Sequence, residues 1–265
     1  MATVSRAVAL PLQDRRALAL PLVVIAAWSV ASSARLVNPD LVPSPALVAR
    51  TAWTELTVPN FWSGVAASLG RTACGFTLAA AAGVILGTVL GVSRWADRLV
   101  GPSFHAYRQV AVFAWIPLLS AWFGGGESTK IAFVAVAAVT PVVINTFEGV
   151  HALPREHVEL ARVLELGRLK FVTGLLLPYA APQILTGLHL ALVTAWLATF
   201  GAEFFLQIAP GASRTLIEGR ALGRMDLVLV GIAVNGLIGF GLTTAIGAVE
   251  RHVLRWRPAR PATSA

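Results

Sequence analysis

The fold class is decided by residues 72–92, which read TACGFTLAAAAGVILGTVLGV. The stretch carries no charge, and at about 1.5 Å of helical rise per residue it crosses the roughly 30 Å hydrocarbon core of a bilayer. Small residues recur along it every four positions, at Gly75, Ala79, Gly83, Gly87 and Gly91. Glycine and alanine are common in membrane helices generally, but spacing kept over five positions favours a bare helix face against which another backbone packs closely.

The rest of the chain is equally apolar. Of its 265 residues, 56% are hydrophobic and 13% charged, and the mean hydropathy is +0.73, a composition that a soluble domain would have to expose to water. Five further apolar runs are predicted to span the membrane, at about 17–37, 109–123, 131–147, 180–206 and 227–249. The predicted fold class is all-α, an integral membrane protein with about six transmembrane helices. A transmembrane domain at 17–257 would lie between a cytoplasmic tail at 1–16 and a disordered tail at 258–265.

The basic residues indicate which side each loop faces. The formal net charge is +8, but the Lys and Arg residues lie between the apolar runs, which is typical of membrane topology and not of nucleic-acid binding. Placing both termini in the cytoplasm puts 14 of the 21 Lys and Arg on the inside. The sequence Ala31-Ser32-Ser33-Ala34 could pass for a signal-peptidase site, but we interpret the first run as an anchor helix because several spans follow it.

The longest predicted cytoplasmic segment, 151–178, has its own helical pattern. Charged residues from Glu156 to Lys170 alternate with apolar ones, as in an amphipathic helical hairpin. A mere connection would need only a few residues, so the segment favours a surface that a soluble partner grips. The alternative is an interfacial helix that lies among the lipid headgroups.

No catalytic or metal-binding motif is found in the sequence. The chain lacks the Gly-x4-Gly-Lys-Ser/Thr phosphate loop and the HExxH motif, and its spans lack the two Asp of an intramembrane aspartyl protease. The one cysteine, Cys74, excludes a disulfide framework within the chain. Enzymatic chemistry is therefore not predicted.

One acid lies deep within a predicted span. Burial of the Glu203 carboxylate costs on the order of several kcal/mol unless the group is paired or hydrated. It is a candidate gate or pathway residue, or a structural partner of a cation such as Arg71, and we favour the structural or gating role because a bare carboxylate would repel an anion. Further polar candidates for a passage, which could equally serve helix contacts, are Asn145, Thr140, Thr194 and Trp196.

Several short motifs follow one another from about residue 40 to residue 257. Glu159-Leu160-Ala161 is followed by Leu177-Pro178 in the 151–178 segment. The others are Val42-Pro43-Ser44-Pro45, Ala114-Trp115-Ile116-Pro117-Leu118, Trp122-Phe123-Gly124, Glu127-Ser128-Thr129-Lys130, Asn145-Thr146, Gly149-Val150, Ala202-Glu203, Asp226-Leu227-Val228, and Glu250-Arg251 before Arg255-Trp256. In order and spacing these resemble the permease subunits of ABC importers, in particular the nitrate, sulfonate and taurine branch. The Glu159-Leu160-Ala161 motif, with Leu177-Pro178 after it, resembles that family's EAA loop. In the family, the coupling helix of this loop docks into a groove on the ATPase subunit.

The chain departs from the EAA pattern at two positions. The family has Ala after the Glu and Gly six positions on, where this chain has Leu160 and Glu165, with Gly167 two residues later. Either the glycine turn between the two helices has moved to Gly167, or the ATPase contact is a variant one. We favour the move, because glycine adopts turn angles that other residues resist. The resemblance then implies a coupling loop made of Glu159, Ala161, Arg162, Glu165, Gly167, Arg168 and Pro178.

The resemblance also implies a function and partners. The chain would be the transmembrane permease of an ATP-driven importer for a small anion such as a sulfonate, taurine or nitrate, in the inner membrane. It would hold no cofactor, since ATP and Mg²⁺ would bind to partner ATPase subunits, and it would bind no nucleic acid. A second permease copy, in a homodimer, and a periplasmic or lipid-anchored binding protein would complete the complex. The alternatives are a secondary transporter, for which repeat symmetry or proton-relay acids would be expected, or another polytopic protein without an ATPase partner.

Overall fold

The computed structural model describes residues 15–34, 36–206 and 211–255. These residues form eleven α-helices, a 3₁₀ turn at Val112–Trp115 and a π turn at Val172–Leu176, and they contain no β-strand. The all-α class is confirmed. Most of the two predicted tails lies outside the described residues, at 1–14 and 256–265.

The helices follow one another with short connections. They are α1 (Arg15–Ser33), α2 (Pro45–Leu56), α3 (Pro59–Val92), α4 (Arg94–Tyr107), α5 (Ile116–Phe123), α6 (Glu127–His151), α7 (Arg155–Val163), α8 (Arg168–Phe171), α9 (Leu177–Phe205), α10 (Arg214–Ala221) and α11 (Met225–Val253). The chain divides into two compact units. One combines residues up to Gly70 with Glu203–Thr244, and the other combines Arg71–Ala202 with the residues from Ala245 onward.

Four helices are long and apolar enough to cross a membrane. They are Pro59–Val92, Glu127–His151, Arg168–Phe205 and Met225–Val253, and they contain the predicted second, fourth, fifth and sixth spans. The predicted first and third spans correspond to shorter apolar helices, Ala19–Ser33 and Val112–Phe123.

Two span boundaries were predicted wrongly. The third span does not begin as a helix at residue 109, because the chain enters a 3₁₀ turn at Val112 and restarts as α5, with Pro117 in the first turn, where a missing N–H costs nothing. The second span begins 13 residues before residue 72, at Pro59, again a proline at a helix start. The length of an apolar run therefore shows where the chain can enter a membrane, and not where its helices begin.

Two helices outside the predicted spans carry clear start signals. The Ser44 side chain accepts a hydrogen bond from the Leu47 N–H at 3.3 Å and Pro45 follows at the first helical position, so α2 has a capped N-terminus. The Ser93 hydroxyl caps α4 in the same way through the Ala96 N–H. These caps could have been found in the sequence.

The glycine face of α3 is a close-packed helix interface, as predicted, and the helix packed against it is α6. A Cβ atom at Gly75, Gly83, Gly87 or Gly91 would lie 2.5 to 2.7 Å from side-chain atoms of Val134, Val142, Thr146 or Val150, respectively. Each glycine thus faces the residue 59 positions later, so the two helices run parallel. Because they are parallel, the segment 93–126 between them must return to the starting side, which fits a crossing by the short helix at 112–123.

Helix α9 runs antiparallel to α6. Gly149, near the end of α6, lies against Ala180 and Gln183 at the start of α9, and Gly187 lies against Pro141 and Asn145 further back. The ends of α3 and α6 and the start of α9 therefore lie at the same end of this unit. The 151–178 segment projects from that end, where Val150, Leu176 and Ala180 form a small buried cluster.

Candidate coupling surface and buried polar sites

The 151–178 segment forms a helical hairpin whose first arm is α7. Of its predicted coupling residues, Ala161 is buried and Pro178 is exposed, as are Glu159, Arg162, Glu165, Gly167 and Arg168. The apolar side chains of Leu160 and Val163 are also 57% and 79% exposed. A short helix that presents charged and apolar side chains together suits docking into a groove on another protein.

The turn between the two arms is a Schellman motif that ends α7. The Leu166 N–H donates to the Ala161 carbonyl and the Glu165 N–H donates to the Arg162 carbonyl, both at 3.0 Å. The left-handed residue is Glu165, with φ of +48°, whereas Gly167 has an ordinary φ of −59°. The prediction that the turn had moved to Gly167 is therefore wrong: the turn stays where the family pattern has its glycine, and a glutamate occupies it.

A second Schellman motif shows the usual choice of residue. After α10, the Arg224 N–H donates to the Gly219 carbonyl at 2.8 Å, and the left-handed residue is Gly223, with φ of +67°. A non-glycine residue in this conformation costs about 1 kcal/mol, because its Cβ crowds the backbone. The hairpin turn therefore carries a small strain that the α10 turn lacks.

Glycine at position 165 should accordingly be tolerated or stabilising. Glu165→Gly relieves the left-handed strain, and we expect it to raise the free energy of unfolding by up to about 1 kcal/mol. Gly167→Val should be mild, because a Cβ atom added at position 167 would meet no other part of the protein within 4 Å and φ there is in the ordinary range. Thermal unfolding of the purified complexes measures both, and a large loss of stability in Gly167→Val alone would contradict this assignment of the turn.

The second arm of the hairpin continues into the long helix α9. α8 is followed by the π turn and then by Pro178 and Pro182, so the regular backbone hydrogen bonding is interrupted where the arm enters the span. The arm is tied to the end of α6 by the Tyr179 hydroxyl, which donates to the Ala152 carbonyl at 3.1 Å. Between them lies a cleft of about 710 Å³, lined by Glu148, Gly149, Ala152, His157, Gly174, Leu175, Pro178, Tyr179, Pro182 and Gln183.

Glu203 is buried at the end of α9, with only 3% of its surface exposed. One carboxylate oxygen accepts a hydrogen bond from the Ser68 hydroxyl, and the other accepts one from the Ser213 N–H at 3.2 Å. The Ser68 oxygen in turn accepts from the Ala212 N–H at 2.8 Å. The carboxylate thus joins α3 to the loop before α10, and a side chain at Gly211 would collide with it. Pairing of Glu203 with Arg71 stays a prediction.

The other polar candidates lie among helix contacts. The Asn145 side chain donates to the Pro141 carbonyl at 2.8 Å and accepts from the Gln183 amide at 3.3 Å, so it links α6 to α9. Thr140 lies near the Tyr107 hydroxyl, which donates to the Val136 carbonyl at 2.5 Å, and the Thr194 hydroxyl donates to the Leu190 carbonyl at 2.9 Å. Trp196 is 7% exposed. Whether any of the four lines a passage stays a prediction.

Sequence reasoning missed a polar cluster at the start of α11. Asp226 accepts hydrogen bonds from the Thr51 hydroxyl at 2.8 Å and from the Arg224 guanidinium at 2.6 Å. The hydrogen bond to Asp226 raises the pKa of Arg224 above its usual value. Thr51 is 175 residues from Asp226, so no local signal announces this contact, which fastens α2 to the start of α11.

Four helices long and apolar enough to cross a membrane, with an exposed helical hairpin at the shared end of α3, α6 and α9, are the architecture of a polytopic membrane protein. The family of binding-protein-dependent transport system inner membrane components matches residues 79–255, and the chain belongs to this family. It is therefore a permease subunit of an ABC importer, a multi-pass inner-membrane protein that works with separate ATPase subunits and is not itself an enzyme.

Individual relatives agree with this family. The chain is 35% identical to the putative aliphatic sulfonates transport permease protein of Escherichia coli over 91% of each chain. It is also 35% identical to the nitrate import permease protein of Leptolyngbya laminosa, over 73% of this chain and 69% of that protein. A solved structure of the inward-facing MetNI methionine ABC transporter shares the fold, with a TM-score of 0.65 at 17% identity, over 73% of this chain and 96% of that one.

Proposed function

We propose that this permease carries a small oxyanion of the sulfonate or nitrate type. In this proposal the hairpin at 151–178 couples ATP hydrolysis on the ATPase subunits to transport through the permease. The named relatives with 35% identity carry such solutes, which supports the class of solute. The observation that carries the coupling role is the exposed hairpin, with Leu160, Val163 and Leu169 facing outward on a closed helix–turn–helix. A segment that only lay among the lipid headgroups as an interfacial helix would not require a hydrogen-bonded turn between two arms.

Within the hairpin, each residue has a separate task. Glu159, Arg162 and Arg168 offer charges to the ATPase groove, Ala161 packs the helix onto the permease, and Glu165 closes the turn in place of glycine. Gly167 begins the second arm, and Pro178 marks where that arm enters the span. ATP and Mg²⁺ bind to the ATPase subunits, a second copy of this chain completes the pathway, and a binding protein delivers the solute.

The hairpin is assigned to the cytoplasm, together with both termini. The paired ends of α3, α6 and α9 adjoin two basic segments, 93–108 and 151–170. These carry Arg94, Arg98, Arg108, Arg155, Arg162, Arg168 and Lys170. Positive charge in short loops favours the cytoplasmic side. A cysteine in place of Arg162 should react with a membrane-impermeant reagent only in inside-out vesicles, and reaction in intact cells would reverse the orientation.

A charge reversal in the hairpin tests the coupling role. Glu159→Lys should leave the permease in the membrane but lower both uptake and solute-stimulated ATP hydrolysis at least about tenfold, because one reversed contact costs about 1.4 kcal/mol or more. The measurement uses the complex reconstituted with its ATPase and binding protein, and labelled ethanesulfonate, taurine and nitrate as solutes.

The matched control is Glu218→Lys. Glu218 is also an exposed glutamate on a helix, where it pairs with Arg214 at 2.5 Å, but it lies far along the chain from the hairpin. If Glu159→Lys left uptake and solute-stimulated ATP hydrolysis unchanged, the hairpin would have no role in coupling. If the unaltered complex took up none of the three solutes, the proposed class of solute would be contradicted.

A further inference from the structure

A fully buried lysine lies at the start of α6, the end remote from the hairpin. The side chain of Lys130 is 1% exposed, and α6 is one of the membrane-spanning helices. A buried ammonium group in such a helix is costly unless an anion compensates it, and residues of this kind generally mark an ion or substrate path. The coupling mechanism makes no use of it.

The compensation that Lys130 receives is weak. Its ammonium group lies 3.5 Å from Glu127 Oε1, at the outer limit of a hydrogen bond, and the described residues offer it no other acceptor. Glu127 is directed instead at Arg71, whose Nε lies 2.5 Å from Oε2 and whose Nη2 lies 3.0 Å from Oε1. Of the two contacts of Glu127, the bidentate one with Arg71 is therefore the stronger. Within the described part of the chain, two of the three N–H donors of the Lys130 ammonium group have no acceptor.

The position of Lys130 at the helix start adds to the cost of its burial. Glu127 and Lys130 lie in the first turn of α6, where the helix dipole is positive and a cation is disfavoured. The side chains of Arg71 and Lys130 are buried, at 5% and 1% exposed, while the Glu127 side chain is 50% exposed. The carboxylate is therefore the member of the cluster that can move away.

We propose that Arg71 and Lys130 form a binding site for the transported oxyanion, and that the Glu127 carboxylate occupies this site until the solute displaces it. A carboxylate presents two oxygens to a guanidinium along one edge, and nitrate and sulfonate groups present the same edge. Glu127 is thus an internal competitor of the solute. This inference rests on the proposed solute class.

Two neighbouring substitutions should then have opposite effects. Glu127→Gln removes the competitor, so the anion concentration for half-maximal binding should fall about tenfold. Lys130→Gln removes a ligand, so that concentration should rise about tenfold, and Lys130→Arg should restore binding. The measurement is thermal stabilisation of the purified permease–ATPase complex, without binding protein, titrated with sodium nitrate or sodium ethanesulfonate at an ionic strength fixed with sodium chloride, whose anion lacks the two-oxygen edge.

A purely structural cluster would respond differently. Both substitutions would then lower stability without separating the two half-maximal concentrations, and this result would overturn the site. If the Glu127→Gln complex does not assemble, Glu127→Asp is used instead, because its shorter side chain loosens the contact with Arg71. The anion concentration for half-maximal binding should then fall, but by less than in Glu127→Gln. Absence of stabilisation in the unaltered complex also overturns the site, whereas the solute class is judged separately from uptake with the binding protein.

Discussion

Gly87→Leu is expected to prevent the permease from assembling. A Cβ atom at this position would lie 2.7 Å from Thr146 Cβ and 2.8 Å from the Val143 carbonyl oxygen. Neither atom can turn away as the tip of a side chain does, because both are fixed to the backbone of α6. The parallel helices α3 and α6 would have to separate along the whole glycine face, at a cost of about 3 kcal/mol or more.

The loss should appear as missing complex, not as altered solute preference. Membrane levels and size-exclusion profiles of the permease–ATPase complex measure it. Gly241→Leu in α11 is the matched control, since a Cβ atom added at position 241 would meet nothing within 4 Å. A Gly87→Leu permease that assembled normally yet carried a different anion would show that this face lines the pathway.

The glycine face was predictable because its signal is local. Glycine recurs at the helical period, and close backbone approach follows from the absence of side chains, whichever helix is the partner. The identity of the partner was not predictable. Nothing in residues 72–92 specifies α6 or its parallel direction, which depend on how the intervening segment 93–126 returns to the starting side.

The hairpin turn shows the opposite case, in which a local rule gave the wrong residue. Glycine is favoured at left-handed positions, so Gly167 was the natural choice. Yet the hydrogen bonds from Glu165 and Leu166 to the end of α7 place the left-handed residue one position beyond the helix cap. The strain of a left-handed glutamate is only about 1 kcal/mol, small enough for the other interactions of the hairpin to outweigh it.

The buried acids lie between these two cases. The position of Glu203 in a long apolar run was enough to predict that its carboxylate must be satisfied. Its partners could not be predicted, because Ser68 is 135 residues away in the chain and Ser213 contributes a backbone N–H, which has no sequence signature. The same holds for Asp226 and Thr51.

Glu203→Ala is expected to destabilise the permease by about 3 kcal/mol. The substitution leaves the Ser213 N–H without its carboxylate acceptor, takes an acceptor from the Ser68 hydroxyl, and opens a cavity beside Gly211. Glu203→Gln should cost less, about 1 to 2 kcal/mol, because one amide oxygen still accepts while the amide N–H₂ faces a donor. Thermal unfolding of the purified complex measures both, with Glu218→Gln as the exposed control.

The two substitutions also separate a structural role from a gating role. Because the carboxylate fastens the loop at 211–213 to α3, a gating role requires this loop to be released during transport, and Glu203→Gln would then raise ATP hydrolysis in the absence of solute. A structural role predicts normal uptake for every Glu203→Gln complex that assembles, with only the yield reduced. Full stability in Glu203→Ala would contradict both, since a buried carboxylate that holds two donors cannot be removed without cost.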